Sequence, residues 1–395
     1  MTKREARPFS APAIVVGGGV NALGGVRSLG GAGVPVWVLD DNDRSPAMRS
    51  RFARPRRVRA LEGEAFMRDL NALASELAGP AVVYLTEEKT VVAVSAMRDQ
   101  LAPSLRLRLP SHERLLALMH KEGFQRLAED LGLPVPPAVR LTSSADLPKL
   151  ERLRFPCVFK PSEKNYEYGA RFKKAYKVSS AQEVAGLYAQ IEPVMPDMVV
   201  QEWIEGHDSD IYFCLQYLNA DGVPVMSFPG RKIRSWPPRI GGTASCTAAW
   251  ADESELAEMT AAFFRAVGFS GMGSMEYKRD ARDGRFYMVE PTVARTDFQE
   301  EVATVNGYNL PLAAYCHELG LPLALPQRAD PPRVWRDAQA DRWSQDEGGD
   351  ALDVQVFADL PVVDAFRRRS DWRPWTDHLA GRLRERLHLW MGLPG

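Results

Sequence analysis

The sequence predicts a mixed α/β and α+β protein of roughly two or three domains. Three observations carry this: a glycine-turned βαβ opening at residues 13 to 40, alternating strand-like runs from Phe155 to about Ala314, and a length of 395 residues, too long for one ordinary hydrophobic core.

The opening reads AIVV, GGGVNALGG, VRSLGGAG and VPVWVLDD, that is strand, glycine turn, helix and strand. An arginine-rich stretch from Arg44 to Arg59 follows, then a helix through Phe66 to Leu77. AVVYL has the continuous apolar character of a buried parallel strand. Residues 1–115 therefore predict a doubly wound, Rossmann-like domain. Near residue 110 the pattern turns helical, and LLALMHKEGFQRLAEDLGL ends at Gly132 before Pro134, Pro136 and Pro137. A second domain is expected over 116–325. Its runs PCVFKP, MVVQEWI, DIYFCLQYL, GSMEYKRD and RFYMVEP, with one helix at Glu253 to Val267, predict antiparallel hairpins. Pro-rich segments at 322–332 lead into a C-terminal extension, 326–395, with no recognisable motif. Its arginines (Arg367, Arg368, Arg369, Arg382, Arg384, Arg386) read as the solvated face of an amphipathic helix.

Lys plus Arg number 50 against 51 Asp plus Glu, a net charge of -1, which predicts neither a nucleic-acid nor a membrane-surface partner. No run approaches the roughly 20 apolar residues of a membrane helix, and the short apolar run at the start lacks a small-residue cleavage site. Cys157, Cys214, Cys246 and Cys316 show no CxxC spacing, and the histidines form no HxxxH or HExxH pair. The expectation is a cytoplasmic protein with reduced thiols and no histidine-rich zinc site.

Gly17, Gly19 and Ala22 follow the first strand in GxGxxA spacing, with Asp40 ending the next strand. That pattern suits a dinucleotide. A tightly turned βα unit needs the same small residues for packing, so both readings stay open on these residues. In GSMEYKRDARDGRFYMVEP two β-rich runs flank Asp283-Gly284, and a hairpin symmetric about Asp283 sets Glu276 opposite Glu290. Two such carboxylates repel unless a cation lies between them, which suits magnesium that also holds phosphates. An even-numbered loop would shift the pairing by one residue and part the acids.

Lys121 opens a helix and Lys160 ends the apolar strand FPCVFKP. A buried ammonium needs an anion, for which phosphate serves, unless the head reaches water. The polar, basic segment PSEKNYEYGARFKKAY supplies Lys173 and Lys174, as a flap over an anion or as a solvated hairpin. VVQEWIEGHDSDIYF joins a strand that can offer main-chain groups to an adenine edge with Asp208 and Asp210, acids able to accept from ribose hydroxyls. FPGRKIRSWPPRIGGTAS carries Arg231, Lys232, Arg234 and Arg239 on a loop framed by proline and glycine. Guanidinium forks there would bind carboxylate and phosphate.

In this order, Lys121 to Arg295 resemble the ATP-grasp superfamily, carboxylate–amine ligase type, and the front domain resembles its Rossmann-like pre-ATP-grasp domain; the resemblance covers roughly residues 12 to 320. It implies a two-subdomain module with ATP between the subdomains, and lysines 121, 160 and 173 on the nucleotide. It further implies Glu202, Trp203 and Ile204 at adenine, with Asp208 and Asp210 at ribose. Magnesium, or manganese, would sit on Glu276 and Glu290. The family's ExN motif reads EPTVART here, so Thr292 replaces asparagine as a third ligand and Arg295 lies one place later than usual. The implied reaction joins a small-molecule carboxylate to an amine through an acyl phosphate. Lys232, Arg234 and Arg295 would act on the transferring phosphoryl group, with Arg231, Arg239 and Gly19 at the substrate. A homodimer is an open assembly. The front domain, on this resemblance, binds substrate and not a dinucleotide. A phosphotransferase using the same nucleotide site, a NAD(P) oxidoreductase and a non-catalytic nucleotide sensor are the competing readings.

Overall fold

The computed structural model describes residues 9–162, 166–173, 175–239, 241–295, 297, 300–348 and 354–379. The chain divides into two compact units: Met1–Met119 with His207–Glu276 and Pro291–Gly395, and His120–Gly206 with Tyr277–Glu290.

The first unit opens with β1 (Ala13–Val16), α1 (Val20–Gly31), β2 (Val36–Asp40), β3 (Ala53–Arg57), α2 (Gly63–Glu76), β4 (Ala81–Leu85), α3 (Glu88–Ala96), β5 (Leu105–Arg106) and α4 (His112–Met119). The five strands form one parallel sheet in the order β3-β2-β1-β4-β5. Every residue of β1 and β4 is buried, as a strand covered on both faces requires. The glycines after β1 have packing reasons. Gly17 has φ +108, a conformation L side chains rarely adopt, and a Cβ on Gly18 would collide with the Asp40 carboxylate. Asp40 is itself 4% exposed and accepts a bond from the Asn42 amide. The acid that a dinucleotide fingerprint would turn toward ribose is thus packed under the turn.

The second unit contains α5 (Lys121–Asp130), β6 (Ala138–Leu141), β7 (Cys157–Pro161), α6 (Tyr166–Arg171), β8 (Tyr176–Val178), α7 (Ala181–Ile191) and β9 (Met198–Glu202). Its strands form an antiparallel sheet in the order β6-β9-β7-β8. Alternating residues of the strands pack on Val184, Tyr188 and Ile191 of α7 in a separate core.

The chain returns to the first unit with β10 (Ile211–Leu218), β11 (Pro224–Trp236), β12 (Gly242–Ala248) and α8 (Glu253–Ala266). The hairpin strands β13 (Gly271–Arg279) and β14 (Phe286–Val293) run across the division between units. There follow α9 (Glu300–Val305), α10 (Leu310–Glu318), β15 (Val334–Arg336), α11 (Ala338–Asp346) and β16 (Val362–Asp364). The larger sheet has the order β14-β13-β10-β11-β12-β15-β16. Its inner residues share one core with the βαβ front and α9 and α10, including Phe213, Phe228, Tyr315 and Trp335.

Two local expectations are corrected. The hairpin tip is even-numbered: the Asp280 amide donates to the Arg285 carbonyl across four residues, Ala281–Gly284, so the symmetry about Asp283 does not hold. The C-terminal arginines 367–369 do not lie on a helix, and Arg368 forms a 2.8 Å ion pair with Glu301 at 13% side-chain exposure. Arg382, Arg384 and Arg386 fall outside the described residues. The four cysteines are free and buried. Among the described residues no helix is long and apolar enough to cross a membrane.

Candidate active site

In the second unit, Lys160 stands at the end of β7 and its Nζ donates to Gln201 Oε1 at 3.0 Å; Gln201 donates in turn to Gln125 Oε1 at 3.1 Å. Burial pulls the Lys160 ammonium down to about 8, Lys121 pushes the same way, and Glu290 opposes both. Among the described residues its hydrogen-bond partner is a neutral amide, so part of the desolvation penalty stays uncompensated. Lys121 lies 3.6 Å from Glu290, with side-chain exposures of 70% and 58%. Such a pair is worth roughly 0–1 kcal/mol and exchanges readily for stronger partners. Lys173 is exposed; its amide donates to the Tyr176 hydroxyl and its carbonyl accepts the Tyr168 hydroxyl. Lys174 lies outside the described residues.

The segment expected at adenine is held by its own neighbours. The amides of Glu202 and Trp203 donate to the carbonyls of Pro137 and Pro156. The buried Glu202 carboxylate accepts the Arg154 amide at 2.8 Å and its Nε at 3.1 Å. Glu202 therefore braces the strand end with its side chain, and the amides of Glu202 and Trp203 are spent inside the unit. Ile204 is buried, and Lys177 lies over the Trp203 ring at 4.6 Å. Lys278 reaches the Gly206 carbonyl at 3.0 Å.

In the first unit the cations converge on β11. Its ladder with β12 shifts register between Lys232 and Arg234 and again between Arg234 and Ser235. Irregularities of this kind re-aim side chains and recur beside active sites. Lys232 is 3% exposed and lies 2.7 Å from Glu276 Oε2. Burial alone would lower its pKa, but Glu276, assisted by Asp297 and Asp208, outweighs burial and raises it, so the ammonium stays charged. Arg231 Nε donates to the Ser209 carbonyl, and the guanidinium lies 3.9 Å from Asp210 and over the Tyr212 ring. Arg234 Nη1 donates to Asp341 at 3.0 Å.

Asp208, expected at ribose, is 1% exposed, and its two oxygens accept the amides of Ser235 and Arg239 at 3.0 and 2.9 Å. Its observed task is to hold the arginine loop. Arg239 has φ 69, and Ala294, beside Arg295, has φ 60. Non-glycine residues in this region are uncommon and mark constrained functional segments. Arg295 lies 3.8 Å from Asp297, which also accepts Thr292 Oγ1 at 3.1 Å. Arg295, Asp297, Ser274 and Glu300 border a cavity of about 10 Å³. Gly19, at the carboxyl end of β1, has open space where a Cβ would stand.

On β13 the alternate residues Gly271, Gly273, Met275 and Tyr277 are buried, and Glu276 lies on the other side with the buried Ser274. On β14 the buried positions are Phe286 and Met288, then Pro291 and Val293, so the alternation resets at Val289 and Glu290. The reset leaves Glu290 and Thr292 on the side of their strand away from its core. Among the described residues no three His, Cys, Asp or Glu side chains form a ready-made metal cage. Magnesium is commonly bound by one or two carboxylates plus phosphates and not by such a cage, and Glu276 and Glu290 have that chemistry. Sequence reasoning missed Gln201, Arg154, Asp297 and Asp341; only Asp297, two places after Arg295, left a trace in the motif.

No family model matches the chain. It is 26% identical over 183 residues to a D-alanine–D-alanine ligase of Pseudomonas putida, covering 45% of this chain and 54% of the relative. Over 205 residues it is 24% identical to a D-aspartate ligase of Enterococcus faecium, covering 49% and 48%. The match thus spans about half the length of these curated relatives. Among solved structures, N5-carboxyaminoimidazole synthetase of Staphylococcus aureus, also solved with ADP, superposes with TM-score 0.58 at 14% identity, covering 80% of this chain and 79% of that one. The fold is shared with that solved structure, in keeping with the ATP-grasp resemblance, and the sequence relatives are ligases.

Proposed function

We propose that the protein is an ATP-dependent ligase that joins a small-molecule carboxylate to an amine. A carboxylate oxygen attacks the γ-phosphorus of ATP, the bond to the β-phosphate oxygen breaks, and ADP leaves. The amine nitrogen then attacks the acyl carbon, the bond to the phosphate oxygen breaks, and the amine's surplus proton passes to water or the departing phosphate. The observation that carries this reading is the buried Lys232 ammonium, 2.7 Å from Glu276, on a strand that also bears Arg231 and Arg234. A fixed cation of this kind, needing no reorganisation, offsets charge on a transferring phosphoryl group.

In this reading Lys121, Lys160 and Lys173 hold the nucleotide phosphates, the Glu202–Ile204 main chain meets adenine through groups not already bonded, and Asp210 meets ribose while Asp208 holds the loop. Arg231, Arg239 and Gly19 hold substrate, with Lys232, Arg234 and Arg295 on the reacting groups. Glu276 and Glu290, with Thr292, are the groups that would hold Mg2+ or Mn2+, which supplies charge neutralisation of the triphosphate when bound. No side chain is assigned as general base.

The test is ADP release over pooled acids and amines, with the product identified by mass. The reading requires that both an acid and an amine be present for full turnover and that the product equal their sum less water. ADP release with one hydroxyl partner and a stable phosphate ester would make the protein a phosphotransferase. Protection from thermal unfolding by NAD(P) but not by Mg-ATP would make it an oxidoreductase. Glu290→Gln and Lys160→Ala are each expected to cut turnover on the order of 10²-fold with the fold intact.

A further inference from the structure

The C-terminal extension, to which the sequence gives no role, reaches the arginine strand. Within the first unit β15 pairs with β12, setting Arg336 opposite Ser245, and α11 follows directly. Asp341 on α11 is 3% exposed and accepts Arg234 Nη1 at 3.0 Å, Ser245 Oγ at 2.6 Å and Gln345 Nε2 at 3.0 Å. The Trp343 ring lies 5.3 Å from that of Trp236, the last residue of β11, yet keeps 43% of its surface exposed. Phe357 lies under the Arg231 guanidinium at 5.4 Å. Three consecutive features of the extension therefore meet three side chains of one strand.

The packing has a second peculiarity. Among the described residues Arg234 Nε, Ser235 Oγ, Arg336 Nε and Ser344 Oγ are buried without a hydrogen-bond partner, and Ser235 and Ser344 are wholly buried. Buried polar atoms are ordinarily satisfied, and all four can donate. All four lie on the strands and helix that meet at the Asp341–Arg234 pair, so this packing is not fully satisfied by its own neighbours.

We propose that the extension completes the acid-binding part of the ligase site, with Asp341 as a positioning residue that fixes the Arg234 fork and the Trp236–Trp343 pair as a shelf selecting acids that carry an aromatic ring. This rests on the ligase reading. One guanidinium edge of Arg234 is held by Asp341, which removes rotamer freedom and leaves its remaining donors directed. The exposed part of the Trp343 indole offers an aromatic contact to a flat apolar group. A carboxylate bound by the cations of β11 and a ring lying on the shelf define an arylalkanoic acid.

The experiment uses the full chain, with phenylacetate and acetate as probes, read by titration calorimetry and by acid-dependent ADP release. Phenylacetate is expected to bind at least tenfold more tightly than acetate. Trp343→Ala removes most of that preference and Trp343→Phe restores it. Asp341→Asn raises the KM for the acid at least tenfold while the KM for ATP stays within twofold. Equal binding of the two acids, or a preference unchanged by Trp343→Ala, overturns the shelf, and because Trp343 is exposed that variant does not depend on refolding a buried site. An acid KM unchanged in Asp341→Asn overturns the positioning role. If the wild type binds phenylacetate through Trp343 but releases no ADP with any amine, the ligase reading falls while the acid site stands.

Discussion

Lys160 carries the clearest single-residue consequence. Its ammonium titrates near 8 because burial outweighs the attraction of Glu290. Its charged form therefore predominates below about pH 8 and is lost above it. If that charge grips the triphosphate, kcat/KM for ATP falls on the alkaline side with a midpoint near 8, since this parameter reports the free enzyme. Lys160→Arg, which stays protonated, should move that limb to higher pH even where its bulk lowers the rate. A pH profile of kcat/KM(ATP) for both proteins decides it; identical alkaline limbs would remove Lys160 from the nucleotide.

Glu300 makes the opposite kind of prediction. It is fully buried, beside Glu301, and burial foremost pushes it from the ordinary 4.5 up to about 8. Ser28 Oγ lies 2.9 Å from the Gly24 carbonyl, which can only accept, and 3.1 Å from Glu300. Ser28 and Thr304 can each donate to the Glu300 carboxyl and so pull the other way, but burial and the neighbouring Glu301 outweigh them. Between pH 4.5 and about 8 the native state holds a proton that the unfolded state has released. Stability therefore falls as pH rises through this window and levels off above it. Glu300→Gln should flatten the slope and gain on the order of a few kcal/mol at pH 8 but little at pH 5, as chemical denaturation at both values will read. These residues differ in legibility. Lys160 announces itself as a charge ending an apolar run and Lys232 as one of a cluster of cations, whereas Glu300 and Asp341 look like ordinary helix-surface acids, because only the tertiary partner reveals their burial.

At the level of elements, β11 shows what sequence periodicity can and cannot give. The loop's arginines and lysine are plain in the sequence, but the two register shifts that aim Lys232 and Arg234 depend on pairing with β12 and leave no local signature. Likewise the reset at Val289 and Glu290 is invisible without burial, and it corrects the simple hairpin symmetry. The βαβ front was readable because Gly17 must take a positive φ and Gly18 must admit Asp40. The three-residue strands β15 and β16 were not, being too short to carry a period. Asp208 belongs at this scale, since it ties the end of β11 to the turn before β10 through two backbone amides. Replacing it by alanine strands those amides and should destabilise the protein by roughly 2–4 kcal/mol, with faster proteolysis near Arg239. Unchanged denaturation would show that other bonds hold the loop.

For the whole molecule, the groups expected at the nucleotide lie mainly in the second unit and the cations expected at the acid in the first. Ligase chemistry requires the two sets to serve one reaction, and that requirement is the central claim. The direct measurement is Mg-ATP turnover of the full chain with saturating acid and amine, followed by mass detection, in the wild type, Lys160→Ala and Lys232→Ala. A condensed product and one ADP per bond are expected in the wild type. Each variant is expected to lose turnover on the order of 10²-fold or more with circular dichroism unchanged. Normal turnover in both folded variants, or ADP release that never couples an acid to an amine, would contradict the central claim.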